Sequence, residues 1–449
     1  MVMQAQGRPS LGFNERAGDL RASAARTPCR YTKRMKSLSS KTIRVAFLGA
    51  DACTLALAQA VMESNRFELA GVCELDGGLD PPVAQALAAL TRRARKLDEW
   101  EALLDEQFVD AVVVARGADE DRRTEQLRKL VQAGMPLVVS HPVVDSMLVY
   151  YELDMIRRET GCVALPCLPD RHHPALERLA EIVRQGLESP IGKVEQVIVQ
   201  RSIPDPSKQN VVAQFARDVD LIRGIAGDMT RLGAMASAQD DSAYGSLGVQ
   251  MSGPGGVVAR WSVDPTRSAL GGHVSLLGSL GKAAVLLRPE GQGWTMELTV
   301  GGLTQTEHYD AWNPAAAALD ELAAAIEGQR VEPDWVDAAR SVELAETIDR
   351  SLHKGRTIEL YYEDYTEQGT FKGTMTSLGC GLLLLGMVAL GVVAIGEQMG
   401  LPWLRGWPYA LLGAFGAFLL LQLLMLVFRK PESSADSAIP TATGTRFFS

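Results

Sequence analysis

The chain has 449 residues, of which 47% are hydrophobic and 22% are charged. At about 150 residues per domain this length predicts about three domains. The apolar fraction excludes a mainly disordered or collagen-like chain. The formal net charge is −9, although residues 1–44 carry ten Lys or Arg against two Asp or Glu, so the remainder is acidic. An acidic body argues against nucleic acid as a partner.

The six cysteines are too few for a disulfide scaffold, which favours a reducing compartment for the body of the protein. No two of them form the C-x-x-C pair of a structural zinc site. His141, His172 and His173 lack flanking ligands at metal-binding spacing, so no metal is predicted.

The two ends of the chain differ from its middle. Residues 1–41 are rich in arginine and contain no apolar segment, which excludes a secretory signal. Three interpretations stay open for them: a disordered basic tail, a start codon at Met35 instead of Met1, or an organellar transit peptide. Residues 431–449 are rich in Ser, Thr and Ala and are predicted to be disordered.

Residues 373–396 and 406–428 contain no charged residue. Each run exceeds the roughly 20 residues that cross a bilayer as a helix, so a membrane hairpin is predicted, with a buried hairpin of a soluble core as the alternative. Basic residues flank the outer ends of both runs. This pattern predicts a lipid bilayer as partner, with the soluble body and both termini on the cytoplasmic side.

The middle begins with a strand–turn–helix–strand pattern. The apolar run IRVAFLG ends at Gly49, residues 54–63 have a helical pattern, and the run FELAGVCELD ends near Glu74. A glycine turn after a buried strand, with an acid about 25 residues later, is typical of a Rossmann dinucleotide-binding unit. Glu74 is then expected to bind the ribose diol and to favour NAD over NADP.

The predicted cofactor turn departs from the G-x-G-x-x-G fingerprint, because only its first glycine is present. The carboxylate of Asp51 stands where backbone normally approaches the pyrophosphate. Two like charges about 4 Å apart cost about 4 kcal/mol at an effective dielectric constant of 20, unless Asp51 turns away. The turn residues are Gly49, Ala50, Asp51, Ala52, Cys53 and Thr54.

Alternating elements continue beyond this unit and predict an α/β fold with a doubly wound parallel sheet. Strands are predicted at 110–115, 136–142 and 162–169, and helices at 99–106, 119–133 and 145–159. The second half is predicted to be α+β, with a large, mostly antiparallel open sheet. Its predicted strands are 193–203, 244–253, 255–264, 273–288 and 293–302, and its predicted helices are 174–187, 313–328 and 334–354.

The order of these motifs resembles the Gfo/Idh/MocA family, the glucose–fructose oxidoreductase and inositol dehydrogenase group. The resemblance runs from about Thr42 to Leu360. It rests on the segments IRVAFLGA, DAVVVA, AGMPLVVSHP, RHHPALERL, SPIGKV, DVDLIRGIAG and WVDAARSVELAETIDRSLHKGRTIEL. The family implies NAD(P) as cofactor, hydride transfer to or from a sugar-like hydroxyl, and a homo-oligomer formed through the open sheet. Some members carry C-terminal membrane anchors.

With the resemblance, the predicted domain order is complete. It comprises a basic tail at 1–41, a Rossmann domain at 42–165, a substrate and oligomerisation domain at 166–364 whose helix at 334–354 packs back on the first domain, membrane spans at 373–396 and 406–428, and a tail at 431–449.

The family's catalytic positions are altered in this chain. Where the family has Glu-Lys-Pro, the chain has Ser140, His141 and Pro142. The family's aspartate and histidine before a D-x-D-L helix are replaced by Ala213 and Arg217. An arginine cannot act as a base, because its pKa exceeds about 12. His141 can still move a proton near pH 7 if its pKa is ordinary.

The resemblance also implies the remaining contacts. Ala115, Arg116 and Ser140 follow strands that approach the cofactor, and His172, His173 and Asp220 lie where the substrate wall begins. Two hypotheses follow. The first is an NAD-dependent oxidoreductase in which His141 is the acid or base and Arg217, with Arg116, holds an anionic or sugar-like substrate. The second, favoured on mechanism, is a pseudoenzyme that acts as a membrane-bound sensor or scaffold, with NAD binding weak or lost.

Overall fold

The structure is a computed structural model that describes residues 42–75, 81–92, 94–105, 107–236, 244–264, 271–288 and 292–360. The predicted spans at 373–396 and 406–428, the tails at 1–41 and 431–449, and the choice between Met1 and Met35 lie outside the described residues. Within the described ranges, no helix combines the length and the apolar character needed to cross a bilayer.

The first half forms a six-stranded sheet with the order β3-β2-β1-β4-β5-β6, in which every pairing is parallel. This confirms the predicted doubly wound parallel sheet. Its strands are Ile43–Leu48 (β1), Phe67–Cys73 (β2), Arg95–Leu97 (β3), Ala111–Val114 (β4), Leu137–Ser140 (β5) and Ala164–Cys167 (β6).

Alternation along β1 sends side chains into two core layers, one on each face of this sheet. Phe47 packs into one layer and Leu48 into the other. The helices of this half are Ala52–Glu63 (α1), Pro81–Leu90 (α2), Glu120–Gln132 (α3) and Met147–Thr160 (α4). Two details differ from the prediction. The segment predicted as a helix at 99–106 is a short 3-10 turn, Trp100–Leu104, and α2 and β3 had no sequence prediction.

The second half forms a nine-stranded sheet with the order β14-β13-β12-β11-β7-β10-β9-β8-β15. Only β7 and β10 pair in parallel, so the prediction of a mostly antiparallel sheet is confirmed. Its strands are Val194–Ser202 (β7), Arg231–Met235 (β8), Gly248–Ser252 (β9), Val258–Asp264 (β10), Gly271–Gly278 (β11), Gly281–Leu287 (β12), Trp294–Val300 (β13), Leu303–Tyr309 (β14) and Ile358–Glu359 (β15).

The single strand predicted at 273–288 is wrong, because it is a hairpin of β11 and β12 that turns at Ser279 and Leu280. Gly281 permits a close approach, since a Cβ there would lie 2.2 Å from the carbonyl oxygen of Thr299. Strand β14 was missed because it is mostly exposed and polar, so it carries little hydrophobic alternation.

Four helices accompany the second sheet: Pro174–Arg184 (α5), Lys208–Ala226 (α6), Pro314–Ile326 (α7) and Trp335–Lys354 (α8). Helix α8 returns to the first half. The indole Nε1 of Trp335 donates to the carbonyl of Tyr150 at 2.9 Å, and the amide of Met147 donates to Glu346 at 2.6 Å. Helix α7 packs on the opposite face with α1.

Candidate functional site

Two of the cavities that the described residues form lie at the carboxyl ends of the parallel strands, where ligands bind in open α/β sheets. The larger, about 600 Å³, is named here the nucleotide groove and is bordered by the end of β2 and the start of α3. The smaller, about 160 Å³, is named the inner cavity and lies between the first turn of α1, the ends of β5 and β6, and α6.

Asp51 turns back onto its own helix. It is the N-cap of α1, and its carboxylate accepts the backbone amide of Thr54 at 2.8 Å and that of Arg116 at 3.0 Å. A helix N-terminus is the site where a Rossmann fold holds an anionic pyrophosphate. The side chain of Asp51 therefore already uses an amide at the end of this helix and brings its negative charge there.

Arg123 of α3 fills the space between two glycine turns, and no sequence motif indicated it. The backbone φ of Gly49 is +83°, and a Cβ on Gly49 would lie 2.7 Å from Nη2 of Arg123. A Cβ on Gly117 would lie 3.0 Å from its Nε. Arg123 is 3% exposed. Burial lowers its pKa, although the negative charges of Glu74 and Asp51 act to raise it. The sequence carried no signal for this role, because the burial of Arg123 is decided by how α3 packs.

Glu74 lies at the end of β2, as the sequence predicted, with a positive φ of 53°. Its carboxylate accepts hydrogen bonds from the guanidinium of Arg122 and from Nε2 of Gln126, the latter at 2.9 Å. Both donors belong to α3. The acid expected to bind a ribose diol is thus held by two side chains of the facing helix, which a diol would have to displace.

The remaining predicted cofactor residues lie at the ends of β1, α1, β4 and β5. Ala50 and Ala115 are fully buried, and the amide of Ala115 donates to the carbonyl of Leu48 at 2.9 Å. The hydroxyl of Ser140 is buried and finds no hydrogen-bond partner among the described residues. Ala52 borders the inner cavity.

Arg116 does not reach the inner cavity. Its guanidinium pairs with Asp145 and, at 3.0 Å, with Glu120, and its side chain is largely buried. Both carboxylates that Arg116 binds belong to the chain itself. The structure therefore does not bring Arg116 and Arg217 together on one anionic substrate, as the first hypothesis required.

His141 and Arg217 meet at the inner cavity. Both border it, and Nε of Arg217 donates to the backbone carbonyl of His141 at 2.8 Å. The cavity also touches the first turn of α1, so it lies beside the turn that begins at Gly49. The arrangement brings together the two residues that the sequence singled out as catalytic.

The pKa of His141 is far from the ordinary value on which its predicted acid–base role depended. Its side chain is buried, and neither ring nitrogen has a hydrogen-bond partner in the described part of the chain. Burial, and next the charge of Arg217, lower the pKa of His141 to about 3. The ring is therefore neutral at pH 7, and the hypothesis that it exchanges protons near that pH is not supported.

Asp220 is a carboxyl group of the inner cavity whose pKa is raised toward neutrality. Burial raises its pKa to about 6, against the charges of Arg171 and Arg223, which lower it. Nε of Arg171 donates to Asp220 at 3.1 Å, and a second contact joins the same two side chains. The sequence identified Asp220 only as a substrate residue, because burial cannot be read from the D-x-D-L motif.

His172 and His173 do not border the inner cavity. The ring of His173 stacks on Trp294 at 3.7 Å between centroids, and its Nδ1 accepts the amide of Ala175 at 3.1 Å, so it caps α5. The ring of His172 contacts Glu321 of α7. In this arrangement His173 packs on Trp294 and caps α5 and His172 contacts α7, while their predicted role toward a substrate stays a prediction. The described residues hold no cluster of three or more His, Cys, Asp or Glu that could bind a metal.

The depressed pKa of His141 predicts acid sensitivity. Between about pH 6.5, its ordinary pKa, and its folded pKa of about 3, the unfolded chain binds a proton that the folded chain excludes. The free energy of unfolding therefore falls as the pH drops through this window, by at most about 1.4 kcal/mol per pH unit. We expect His141→Gln to show a shallower fall in Tm than the unmodified protein between about pH 7 and pH 5. If Tm falls equally with pH in both proteins, the low pKa of His141 is contradicted.

Comparison with known proteins identifies the class of this fold. Residues 43–166 match the family model GFO_IDH_MocA, described as an oxidoreductase family with an NAD-binding Rossmann fold. This segment contains the six-stranded sheet except Cys167, the last residue of β6, together with the turn at Gly49 and Glu74. No curated protein sequence matches the chain.

Solved structures extend the likeness to both sheets. A myo-inositol dehydrogenase from Corynebacterium glutamicum has a TM-score of 0.56 at 18% identity over 72% of this chain and all (100%) of its own. GenD2 of gentamicin A biosynthesis, solved with NAD, has a TM-score of 0.57 at 19% identity over 71% of this chain and 97% of its own. KijD10, a 3-ketoreductase from Actinomadura kijaniata solved with NADP, has a TM-score of 0.58 at 16% identity over 72% and 100%. These similarities establish the fold.

Proposed function

We propose that the chain is a membrane-anchored protein of the Gfo/Idh/MocA type that has kept the nucleotide groove and does not transfer hydride. It acts as a sensor or scaffold at the membrane. The observation that carries this proposal is the state of the reaction centre. His141 stands where the family has its catalytic lysine, and it is neutral and enclosed. Arg217 stands where the family has its base and cannot accept a proton.

The structure has room for the adenosine part of a dinucleotide but not for its pyrophosphate. A groove of about 600 Å³ accommodates an adenosine-sized group. Its wall carries three cations and three carboxylates, so its charge does not by itself favour a phosphate: Lys96, Arg122, Arg123, Glu74, Asp98 and Asp119. The pyrophosphate does not fit with the side chains as they stand, because Asp51 uses the helix end and Arg123 occupies the space between Gly49 and Gly117. NAD binding is therefore proposed to be weak.

Membrane attachment is part of the proposal and rests on the sequence. The uncharged runs 373–396 and 406–428 are long enough to span a bilayer, and their basic flanks favour a cytoplasmic body. A sensor needs no reaction centre but benefits from a fixed location, which a membrane hairpin supplies. A homo-oligomer through the open face of the second sheet is likewise proposed from the family resemblance.

A second candidate is an active oxidoreductase in which Asp220, instead of His141, takes a proton from a substrate hydroxyl. Asp220 borders the inner cavity, and its pKa of about 6 suits a base at neutral pH. Arg217 at the same cavity provides a positive charge for an anionic or sugar-like substrate. Against this candidate, Arg171 already holds the carboxylate of Asp220.

The test is a titration of the full chain in detergent micelles with NADH and with NADPH, followed by fluorescence, and a turnover screen with polyols and sugar acids. We expect a Kd above about 0.1 mM and no turnover. Micromolar binding with turnover that Asp220→Asn abolishes would overturn the proposal and favour the second candidate.

A further inference from the structure

The guanidinium of Arg123 lies against two glycine turns at the end of the nucleotide groove where a Rossmann fold holds a phosphate. A Cβ on Gly49 would lie 2.7 Å from its Nη2, and a Cβ on Gly117 would lie 3.0 Å from its Nε. Arg123 is 3% exposed, yet its Nε finds no hydrogen-bond partner among the residues that the structure describes. A buried donor without an acceptor costs free energy, so this edge of the guanidinium is held by close packing alone.

The side chain of Gln126 connects this guanidinium to the acid of the groove. Its Oε1 accepts Nη1 of Arg123 at 2.9 Å, and its Nε2 donates to Glu74 at 2.9 Å. A guanidinium only donates hydrogen bonds and an ionised carboxylate only accepts them, so one orientation of the amide serves both neighbours. Gln126 is 1% exposed and lies one turn after Arg123 on α3. The three side chains therefore form one continuous chain of hydrogen bonds.

We propose that Arg123 closes the phosphate end of the nucleotide groove and that Gln126 holds it in this closed position until a ligand binds Glu74. A vicinal diol takes the place of Gln126 on the carboxylate of Glu74, and Gln126 then loses one of its two partners. The side chain of Arg123 is released and turns out of the gap between Gly49 and Gly117. The inference deepens the proposed function and rests on it, because it requires a groove that still receives a nucleoside.

The groove itself offers an open position for the released side chain. The carboxylates of Asp98 and Asp119 belong to its wall and can accept the guanidinium of Arg123. There Nε gains a carboxylate or water as acceptor, which the closed position withholds. The gap between the glycines is then free for part of a phosphate group. The ligand class is therefore a nucleoside phosphate with free 2′- and 3′-hydroxyls, since the diol opens the gap that the phosphate enters.

Arginine labelling with phenylglyoxal, followed by peptide mass spectrometry, measures the accessibility of Arg123 in the full chain in detergent micelles. Without ligand we expect Arg122, whose side chain is 61% exposed, to be labelled at least about tenfold faster than Arg123. Saturating adenosine should raise the labelling rate of Arg123 by about fivefold or more. An equal concentration of 2′,3′-dideoxyadenosine, which has no diol, should leave that rate unchanged.

Two variants should expose Arg123 without any ligand. Gln126→Ala removes the side chain that holds it, whereas Gln132→Ala, the matched control at the exposed end of the same helix, should change nothing. Gly117→Ala places a Cβ against Nε and should displace the guanidinium, whereas Gly248→Ala adds a Cβ with no atom within 4 Å. Arg223, which is 6% exposed, should stay unlabelled in every variant that remains folded.

The outcomes separate this inference from the proposed function. The holding role of Gln126 is excluded if Arg123 stays protected in folded Gln126→Ala, or if adenosine and 2′,3′-dideoxyadenosine expose it equally. The closing role of Arg123 is excluded if it also stays protected in Gly117→Ala. Equilibrium dialysis measures adenosine binding directly, and its absence would overturn the retained nucleotide groove and with it the opening by a diol. Turnover with NADH would overturn only the proposed absence of hydride transfer.

Discussion

Replacing Asp51 with glycine is expected to tighten NADH binding by about 10- to 100-fold. The change removes a carboxylate beside the pyrophosphate position and frees the amides of Thr54 and Arg116. Like charges about 4 Å apart cost about 4 kcal/mol at an effective dielectric constant of 20, which is an upper limit here because solvent and salt screen the groove. A factor of ten corresponds to about 1.4 kcal/mol. Fluorescence titration of both proteins measures the difference.

Asp334→Gly is the matched control for this change. Asp334 caps α8 as Asp51 caps α1, with amides of Val336 and Asp337 donating to it at 2.8 and 3.1 Å, and it lies outside the turn that follows Gly49. Because glycine is itself a tolerated N-cap residue, either change should lower the free energy of unfolding by only about a few tenths of a kcal/mol. Only Asp51→Gly should alter NADH affinity. An equal gain in both variants, or none in Asp51→Gly, would exclude the carboxylate as the obstacle.

Asp218→Ala is expected to lower the free energy of unfolding by about 3–5 kcal/mol, because it leaves a buried guanidinium without its partner. The carboxylate of Asp218 accepts Nε of Arg201 at 2.9 Å and Nε1 of Trp261 at 2.7 Å, and Nε2 of Gln214 donates to it at 3.1 Å. Asp218 and Arg201 are 1% and 8% exposed. Urea denaturation followed by tryptophan fluorescence measures the loss.

Two further variants test whether the loss of stability is specific to the buried ion pair. Glu195→Ala removes an exposed carboxylate from the same strand that holds Arg201, and it should change the free energy of unfolding by no more than about 0.5 kcal/mol. The double variant Asp218→Leu with Arg201→Met replaces the ion pair by apolar groups and should recover part of the stability, since the buried indole N–H of Trp261 still loses its acceptor. A midpoint for Asp218→Ala equal to that of the unmodified protein would show that the pair contributes nothing.

These contacts separate the two aspartates of the D-x-D-L motif. Residues two apart on a helix project about 200° apart, so the two aspartates of the motif can face different parts of the protein. Asp218 faces the second sheet through Arg201 and Trp261, whereas Asp220 faces the inner cavity. Helical spacing alone predicts that the two side chains diverge. It does not tell which of them meets the sheet, since that depends on how α6 packs.

The sequence by itself determined the framework of this protein. Apolar runs separated by turn residues predicted both sheets, and the glycine after β1 and the acid after β2 identified a Rossmann unit. Gly49 and Glu74 were found in this way, and the structure places both where they were predicted. Such features can be read from sequence because side-chain periodicity and turn chemistry are properties of neighbouring residues.

The tertiary structure alone decided what the site residues contact. The partners of Asp51 and Glu74 include Arg116, Arg122 and Gln126, which are far from them along the chain. The neutral state of His141 likewise follows from burial by several elements together. Charge pairing and desolvation depend on every group that packs around a side chain, so no local pattern contains them.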